Sequence, residues 1–170
     1  MKFTAQEEYG LRCLLQIGQQ GAGGSLTIPE IGAHECLSIP YVAKLVRLLR
    51  QGGFLKSTRG QSGGYALSRP PEQIVVGEVL AVLGGRLFDL EYCERYPGSV
   101  PICTHTVDCS IRSLWRAVQL GVDQVLSRTT LRDLLGNEKE TTSSMDGLVR
   151  IGGAPASQPA YDLSTTSMGD

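Results

Sequence analysis

The run STRGQSGGYALSRPP, residues 57–71, says more about how this chain folds than any other stretch. The segments at 54–58 and 64–68 have the composition of β-strands, and the glycines between them supply the positive backbone angles that a tight reversal needs. Arg59 stands at the tip of the predicted hairpin. A short hairpin with a cation at its tip is typical of the wing of a winged helix.

Two helices are predicted at the start of the chain. The first runs from about 4 to 18, because apolar residues recur there at spacings of three and four. Its stripe consists of Leu11, Leu14, Leu15 and Gly18. The second is shorter. It begins at Thr27, which forms a capping box with Glu30, and it ends near His34.

The third predicted helix opens at Ser38 and ends at the glycines 52–53. Its apolar stripe is formed by Val42, Leu45, Val46 and Leu49, and its cations are Lys44, Arg47 and Arg50. Two short helices joined by a tight turn, the second bearing exposed cations, fit a helix-turn-helix. The predicted fold class is therefore mainly α with a small β-hairpin wing, and residues 1–85 form a winged helix-turn-helix.

The clearest helix is predicted from about 110 onward, after a short helix at 76–83. Its apolar residues recur at spacings of four and three, which is the pattern of a coiled-coil seam. They are Ile111, Trp115, Val118, Val122 and Val125. A stripe roughly 27 Å long is more than one winged-helix head can cover. We therefore interpret it as a dimerisation helix, and packing within the monomer is the alternative.

The remaining segments divide around this helix. Residues 86–109 lack periodicity and form a cysteine-bearing loop, while 110–136 hold the dimerisation helix and a short helix capped by Thr129 or Thr130. Residues 137–170 are rich in Ser, Thr, Gly, Pro and Ala, and they are predicted to form a disordered tail.

Composition limits the class of protein. The chain has 170 residues, is 41% hydrophobic, and has no apolar run long enough for a membrane span or a signal sequence. We therefore expect a cytoplasmic protein whose five cysteines are reduced and serve metal binding, reactivity or packing. The net charge of −1 hides an asymmetry, because 36–69 holds six cations and no acid. Such a block suits phosphate, although a solvated charged face is the alternative.

No catalytic arrangement is found in the sequence. The two histidines, His34 and His105, lie outside any recognisable nucleophile, metalloprotease or phosphate-loop motif. We therefore expect no enzymatic activity and no small-molecule substrate.

Three cysteines lie together in a polar segment without periodicity. They are Cys93, Cys103 and Cys109. Three thiolates on one loop suit an iron-sulfur cluster or zinc, and His105 would complete a zinc set. The other two, Cys13 and Cys36, are interpreted as packing residues.

The wing reads RGxxGGYxLxRP at 59–70, and the three cysteines follow it ahead of a long helix. In these motifs the chain resembles the Rrf2 family of bacterial transcription regulators, over about residues 1–135. The resemblance implies a homodimer that binds a palindromic operator in double-stranded DNA and holds an iron-sulfur cluster on the three cysteines. The 4Fe-4S form is favoured over the 2Fe-2S form.

The fourth cluster ligand is less evident. Where some iron-sulfur members of the family have a histidine, this chain has Arg112, which cannot bind iron. Other members use an aspartate near the N-terminus of the partner subunit, and Glu8 corresponds to it. Glu8 is therefore the preferred fourth ligand, ahead of His105 and His34. Its alternative role is to stabilise the first turn of its own helix.

The resemblance also implies the DNA contacts. The third helix would enter the major groove and the wing would place Arg59 in the minor groove. The contact residues of that helix would be Ser38, Tyr41, Lys44 and Arg47. Ala43 stands where iron-sulfur members have a glutamate, so their operator preference is not carried over.

Taken together, these features indicate a transcription regulator of the repressor type. Its operator affinity would follow a cluster that senses redox, nitric oxide or iron-sulfur status. The alternative is a zinc or metal-free thiol switch on the same DNA-binding frame. A winged helix that contacts protein rather than DNA is a further alternative, which the block of cations disfavours.

Overall fold

A computed structural model of the chain describes residues 3–58, 63–85 and 108–150. The elements in chain order are α1 (Ala5–Gly18), α2 (Ile28–Glu35), α3 (Ile39–Gln51), β1 (Leu55–Ser57), β2 (Tyr65–Leu67), a 3-10 turn (Pro71–Gln73), α4 (Val76–Leu83), α5 (Ser110–Leu126), α6 (Leu131–Leu134) and α7 (Glu138–Arg150). The two strands pair antiparallel, with Lys56 opposite Ala66. The predicted fold class, mainly helical with a small hairpin, is confirmed.

Capping boxes fix where three of the helices begin. In each one a threonine hydroxyl accepts the backbone N–H of an acid three residues on, and that acid accepts the threonine's own N–H. The pairs are Thr4 with Glu7, Thr27 with Glu30, and Thr130 with Asp133. The backbone hydrogen bond from Thr27 lowers the pKa of Glu30 below its usual value. The predicted start of α2 is therefore confirmed down to its cap.

Helix α1 lies at the centre of the head, the winged helix-turn-helix unit up to residue 85, and packs against α2, α3, α4 and β2. Its buried face includes Gly10, Cys13, Leu14 and Ile17, whereas Leu11 and Leu15 are only partly buried. The predicted stripe was therefore rotated from the true one, because α1 is enclosed by several neighbours rather than by one. The stripe predicted for α3 is buried in full.

A backbone bridge docks the wing onto the head. Leu26, just before α2, exchanges two hydrogen bonds with Tyr65 of β2, at N–O distances of 3.1 and 2.8 Å. This exchange brings the backbone of Leu26 against Gly64. A Cβ on Gly64 would lie 2.6 Å from the Leu26 carbonyl oxygen and 3.1 Å from the Thr27 nitrogen.

Replacing Gly64 with alanine is expected to destabilise the head by about 1–3 kcal/mol, because the atoms in the way are backbone atoms that cannot rotate aside. Gly147→Ala is the matched control, since a Cβ there meets nothing within 4 Å. Urea unfolding should show the control equal to or above the wild-type stability. Equal stabilities for the two variants would rule out this close approach.

The chain returns to the head after α5. Val75 and Thr130 form an isolated bridge, and the Leu131 N–H donates to the Ile74 carbonyl oxygen at 2.8 Å. Leu131 is fully buried, and Leu135 packs over Gly18 at the end of α1. The short helix predicted after the long one is confirmed as α6, with Thr130 as its cap.

Helix α5 spans the predicted dimerisation helix almost residue for residue. Among the described residues of α5, Gln119 alone is buried, while Ile111, Leu114 and Leu120 are 58%, 54% and 67% exposed. Its C-terminal half lies beside α4 and leaves a groove of about 460 Å³, lined by Val122 and Leu126 among others. Of the predicted seam, Ile111 is therefore uncovered by the described parts of the chain, whereas Trp115, Val118, Val122 and Val125 are half-buried.

The prediction that 137–170 is disordered is wrong for Glu138–Arg150, which forms α7. Asn137 caps it, because its side-chain oxygen accepts the Glu140 N–H at 2.9 Å. The Thr141 hydroxyl donates to the Asp133 carbonyl oxygen at 2.9 Å and ties α7 to α6. These specific contacts outweigh the Ser- and Thr-rich composition on which the prediction rested. Residues 151–170 lie outside the described residues.

No helix in the described ranges is both long enough and apolar enough to cross a membrane.

Candidate nucleic-acid interface and thiol site

A three-residue turn, 36–38, joins α2 to α3 and sets the angle between them. Cys36 ends α2 in the left-handed conformation, with φ of 55°, and the Leu37 N–H donates to the Gly32 carbonyl oxygen at 3.0 Å. A Cβ on Gly32 would lie 3.0 Å from the carbonyl oxygen of Leu37. A small residue at 32 therefore allows the tight crossing of a helix-turn-helix.

Helix α3 divides sharply into a buried face and a cationic face. Lys44, Arg47 and Arg50 are all exposed, and none of them forms an ion pair with any residue in the described ranges. The first turn of α3 holds no acid. An unneutralised cationic ridge on one helix creates a positive potential that suits a phosphate backbone.

The other two residues predicted to contact DNA lie at the start of the same helix. Ser38 is the exposed N-cap residue of α3, and its side chain makes no capping hydrogen bond. Tyr41 is half-buried and meets Tyr9 of α1 edge to face, with ring centroids 6.1 Å apart. The four α3 positions predicted from the sequence therefore lie within three turns of one helix, and Tyr41 also has a packing role.

An ion pair fixes α1 against the helix-turn-helix. The Arg12 Nε atom lies 2.5 Å from a carboxylate oxygen of Glu35, which is buried, and the Arg12 guanidinium lies 5.4 Å from the centre of the Tyr9 ring. The hydrogen bond to Glu35 raises the pKa of Arg12 above its usual value, and the charge of Glu8 adds to this effect. The sequence prediction missed this cluster, because it depends on how two distant helices cross.

Glu8, the predicted fourth cluster ligand, is an exposed residue in the first turn of α1. It lies one helical turn before Arg12 on the same helix. Its neighbour Glu7 is buried and is used by the capping box with Thr4. Glu8 is thus the acid of this turn that remains exposed to an outside partner.

The wing is described up to its tip, and Arg59 lies outside the described residues, as do 60–62. Lys56 on β1 is exposed and lines a pocket with the 21–24 loop and Arg132. Arg69, counted in the cationic block, differs from the others, because its Nη2 donates to Glu78 at 2.8 Å and its guanidinium lies 5.3 Å from the Phe54 ring centre. Arg69 therefore serves to hold the wing on the head.

Cys109 is the N-cap residue of α5, where its sulfur accepts the Arg112 backbone N–H at an N–S distance of 3.3 Å. Such a bond stabilises negative charge on sulfur, as on a thiolate bound to a metal. Cys93, Cys103 and His105 lie outside the described residues. Within the described ranges, no three potential metal ligands come together. The soft donor and its hydrogen bond at Cys109 fit an iron-sulfur ligand.

The two cysteines of the head differ in exposure. Cys13 is fully buried as predicted, and burial raises its pKa to about 12. Cys36 is exposed, so its interpretation as a packing residue is wrong. Its place at the left-handed end of α2 turns the side chain away from the core.

This difference predicts the alkylation pattern of the folded protein. At pH 8 Cys36 should react with iodoacetamide, whereas Cys13 should react roughly a thousandfold more slowly than an ordinary exposed thiol, because the thiolate is the reactive form. Peptide mass mapping, with and without guanidinium, distinguishes the two sites. Equal labelling of both cysteines without denaturant would contradict the burial of Cys13.

Known proteins share this architecture. A family model described as Rrf2, iron-dependent transcriptional regulator, matches residues 3–137. Protein rrf2 of Nitratidesulfovibrio vulgaris is 33% identical over 135 residues, which is 79% of this chain and 87% of that protein. The structure of CymR, the global cysteine regulator of B. subtilis, is similar with a TM-score of 0.65 and 30% identity, covering 79% of this chain and 96% of that one. IscR of T. potens gives a TM-score of 0.63 with 31% identity, over 79% and 86%.

Proposed function

Since the chain belongs to the Rrf2 family of transcriptional regulators, and is therefore a DNA-binding regulator and not an enzyme, we propose that it acts as a homodimeric repressor controlled by an iron-sulfur cluster. Its operator would be palindromic, and the protein would be located in the cytoplasm, where the bacterial DNA lies. The observation that carries the proposal is the unneutralised cationic face of α3 beside a hairpin wing.

The DNA-binding mode follows from that face. Helix α3 enters the major groove, where Lys44 and Arg47 contact phosphates or guanine and Ser38 contacts the backbone or a base edge. Arg59 on the wing reaches the adjacent minor groove.

Dimerisation is supported by the uncovered apolar surface of α5. Two copies of the helix packed along the seam from Ile111 to Val125 would bury Ile111, the neighbouring Leu114 and the exposed parts of the half-buried seam residues, and the hydrophobic effect favours that burial. A two-fold dimer presents two α3 helices to two half-sites, which makes a palindromic operator the matching target.

The cluster would be held at the start of α5 by Cys93, Cys103 and Cys109. Glu8 of the partner subunit would be the fourth ligand, since it is an exposed carboxylate and Arg112 cannot take that role. When bound, the cluster supplies redox and ligand-exchange chemistry that protein side chains lack. The 4Fe-4S form is preferred.

Two contacts on α1 support a route from the cluster to the DNA. Glu8 lies one turn from Arg12, whose ion pair with Glu35 holds α2, and Tyr9 contacts Tyr41 of α3. If Glu8 were not a cluster ligand, its carboxylate would be free to compete with Glu35 for Arg12, and this competition would shift α1 against the helix-turn-helix. Movement of α5 would change the spacing of the two α3 helices at the same time.

A thiol switch without a cluster is the second candidate. It is favoured by the exposed Cys36 within the helix-turn-helix and by the similarity to a protein named as a cysteine regulator. The two candidates are separated by measuring the iron, zinc and acid-labile sulfide content of protein purified without oxygen. A colourless, iron-free protein that does not reconstitute a cluster would remove the first.

The DNA-binding part is tested by a salt titration with the chain's own promoter. The logarithm of the binding constant should fall linearly with the logarithm of salt concentration, with a slope of about −0.9 per phosphate contacted. Binding that is absent or insensitive to salt would instead favour a winged helix that contacts protein.

A further inference from the structure

The first turn of α3 exposes the apolar residues Ile39 and Pro40, whereas the exposed residues of the later turns are polar or cationic. Ile39 is 54% exposed, although it is a large apolar side chain. Its Cγ1 lies beside α2, 3.9 Å from the position that a Cβ would have on Gly32. Ala43 follows one turn later on the same side of the helix and is partly buried.

These two residues lie in the first two turns of the helix that is proposed to enter the major groove. The N-terminal residues of a recognition helix are the ones that approach base edges. The one apolar group that a base pair presents in the major groove is the C5-methyl of thymine. An exposed isoleucine gains free energy when it is covered by such a methyl group, because both lose contact with water.

The neighbouring residues narrow the base preference further. Between Ile39 and Lys44 there is no Asn, Gln, Asp or Glu. The side chains that read adenine through paired hydrogen bonds, or cytosine by accepting from its N4 amino group, are therefore missing from these turns. Lys44 and Arg47 are suited to the O6 and N7 acceptors of guanine.

We propose that Ile39, with Ala43 beside it, is a specificity residue that reads thymine methyl groups in each operator half-site. The half-site would place thymine under the first turn of α3 and guanine under the second and third turns. The inference rests on the proposed DNA-binding function and deepens it, by assigning which bases the helix selects.

The experiment starts from the full-length protein and an operator selected from random duplexes. Each thymine of the half-site is then replaced by deoxyuracil, which lacks only the C5-methyl group. At one or two positions the wild-type affinity should fall about four-fold, the loss that corresponds to uncovering one methyl group. Uracil at thymines outside the half-sites is the matched control and should have no effect.

The variant Ile39→Ala identifies the side chain responsible. It should bind the thymine operator more weakly than the wild type does and should show no further loss at the sensitive positions when uracil replaces thymine, so that the two changes are not additive. Ile39→Val, which keeps a branched apolar side chain, should restore most of the sensitivity. Thermal unfolding of each variant checks that the fold is retained.

The outcomes are distinguishable. If the wild type binds with the expected salt dependence but uracil has no effect anywhere, or if Ile39→Ala is as sensitive to uracil as the wild type, the thymine assignment is overturned while the regulator function stands. If no duplex is enriched and binding to DNA is absent, the proposed function itself fails, and the thymine assignment fails with it.

Discussion

Cys109→Ser and Cys109→Ala should both yield protein without a cluster, with iron and sulfide reduced to background. The physical reason is that a hydroxyl or a methyl group is a poor substitute for a thiolate as a ligand to iron in a cluster. The two variants differ in another property. Serine can still cap α5 by accepting the Arg112 N–H, whereas alanine cannot and should cost about 1 kcal/mol of stability. Comparing them separates the ligand role from the capping role.

Absorbance and iron content after anaerobic purification provide the measurement. Cys36→Ser is the matched control, since Cys36 is exposed in the turn before α3 and is not a ligand in the proposed site. It should retain the full cluster. A Cys109→Ser protein with the wild-type spectrum would remove Cys109 from the ligand set.

The double variant Lys44→Ala with Arg47→Ala should bind the operator about 10- to 100-fold more weakly, and the salt slope should fall by about one for each of the two residues that contacts a phosphate rather than a base. Both cations are exposed and have no ion-pair partner among the described residues, so their charge is available to DNA. Their loss leaves the buried stripe of α3 intact, and the unfolding temperature should change little. Fluorescence anisotropy with a labelled operator gives the affinity and the slope.

Arg128→Ala with Lys139→Ala is the control for net charge. Both residues are exposed and lie outside the proposed DNA-binding surface. Replacing them removes the same number of positive charges as the α3 variant does. If this control weakened binding as much as the α3 variant does, the effect would come from overall charge rather than from contact by α3.

The elements that the sequence predicts well are those with strong periodicity and clear end signals. The bounds of α4 and the buried stripe of α3 match residue for residue, because apolar spacing and flanking glycines determine both. The seam of α5 was predicted for the same reason, and in the structure Ile111 of this seam is exposed while its other four residues are half-buried. The predicted apolar stripe of α1 was rotated from the true one, because several elements pack around this helix and bury residues on more than one side.

Other features depend on contacts between distant residues, which periodicity does not encode. The ion pair of Arg12 and Glu35 forms where α1 crosses α2. Arg69 belongs to the cationic block of the sequence, but in the structure it forms an ion pair with Glu78. Helix α7 was missed because composition alone suggested disorder, whereas the Asn137 cap and the Thr141 contact stabilise a helix. Cys36 is exposed because it adopts the left-handed backbone conformation, which no local sequence pattern predicts.

Coupling between the cluster and the DNA can be measured on a single preparation. Half of the protein is kept in its cluster-loaded form without oxygen, the cluster is removed from the other half with a chelator, and the dissociation constant of each half for the same operator is determined at one salt concentration. The proposed regulation predicts constants that differ by about five- to 150-fold, the usual range for coupling between two sites. Equal constants would mean that the cluster, even if present, does not control DNA binding.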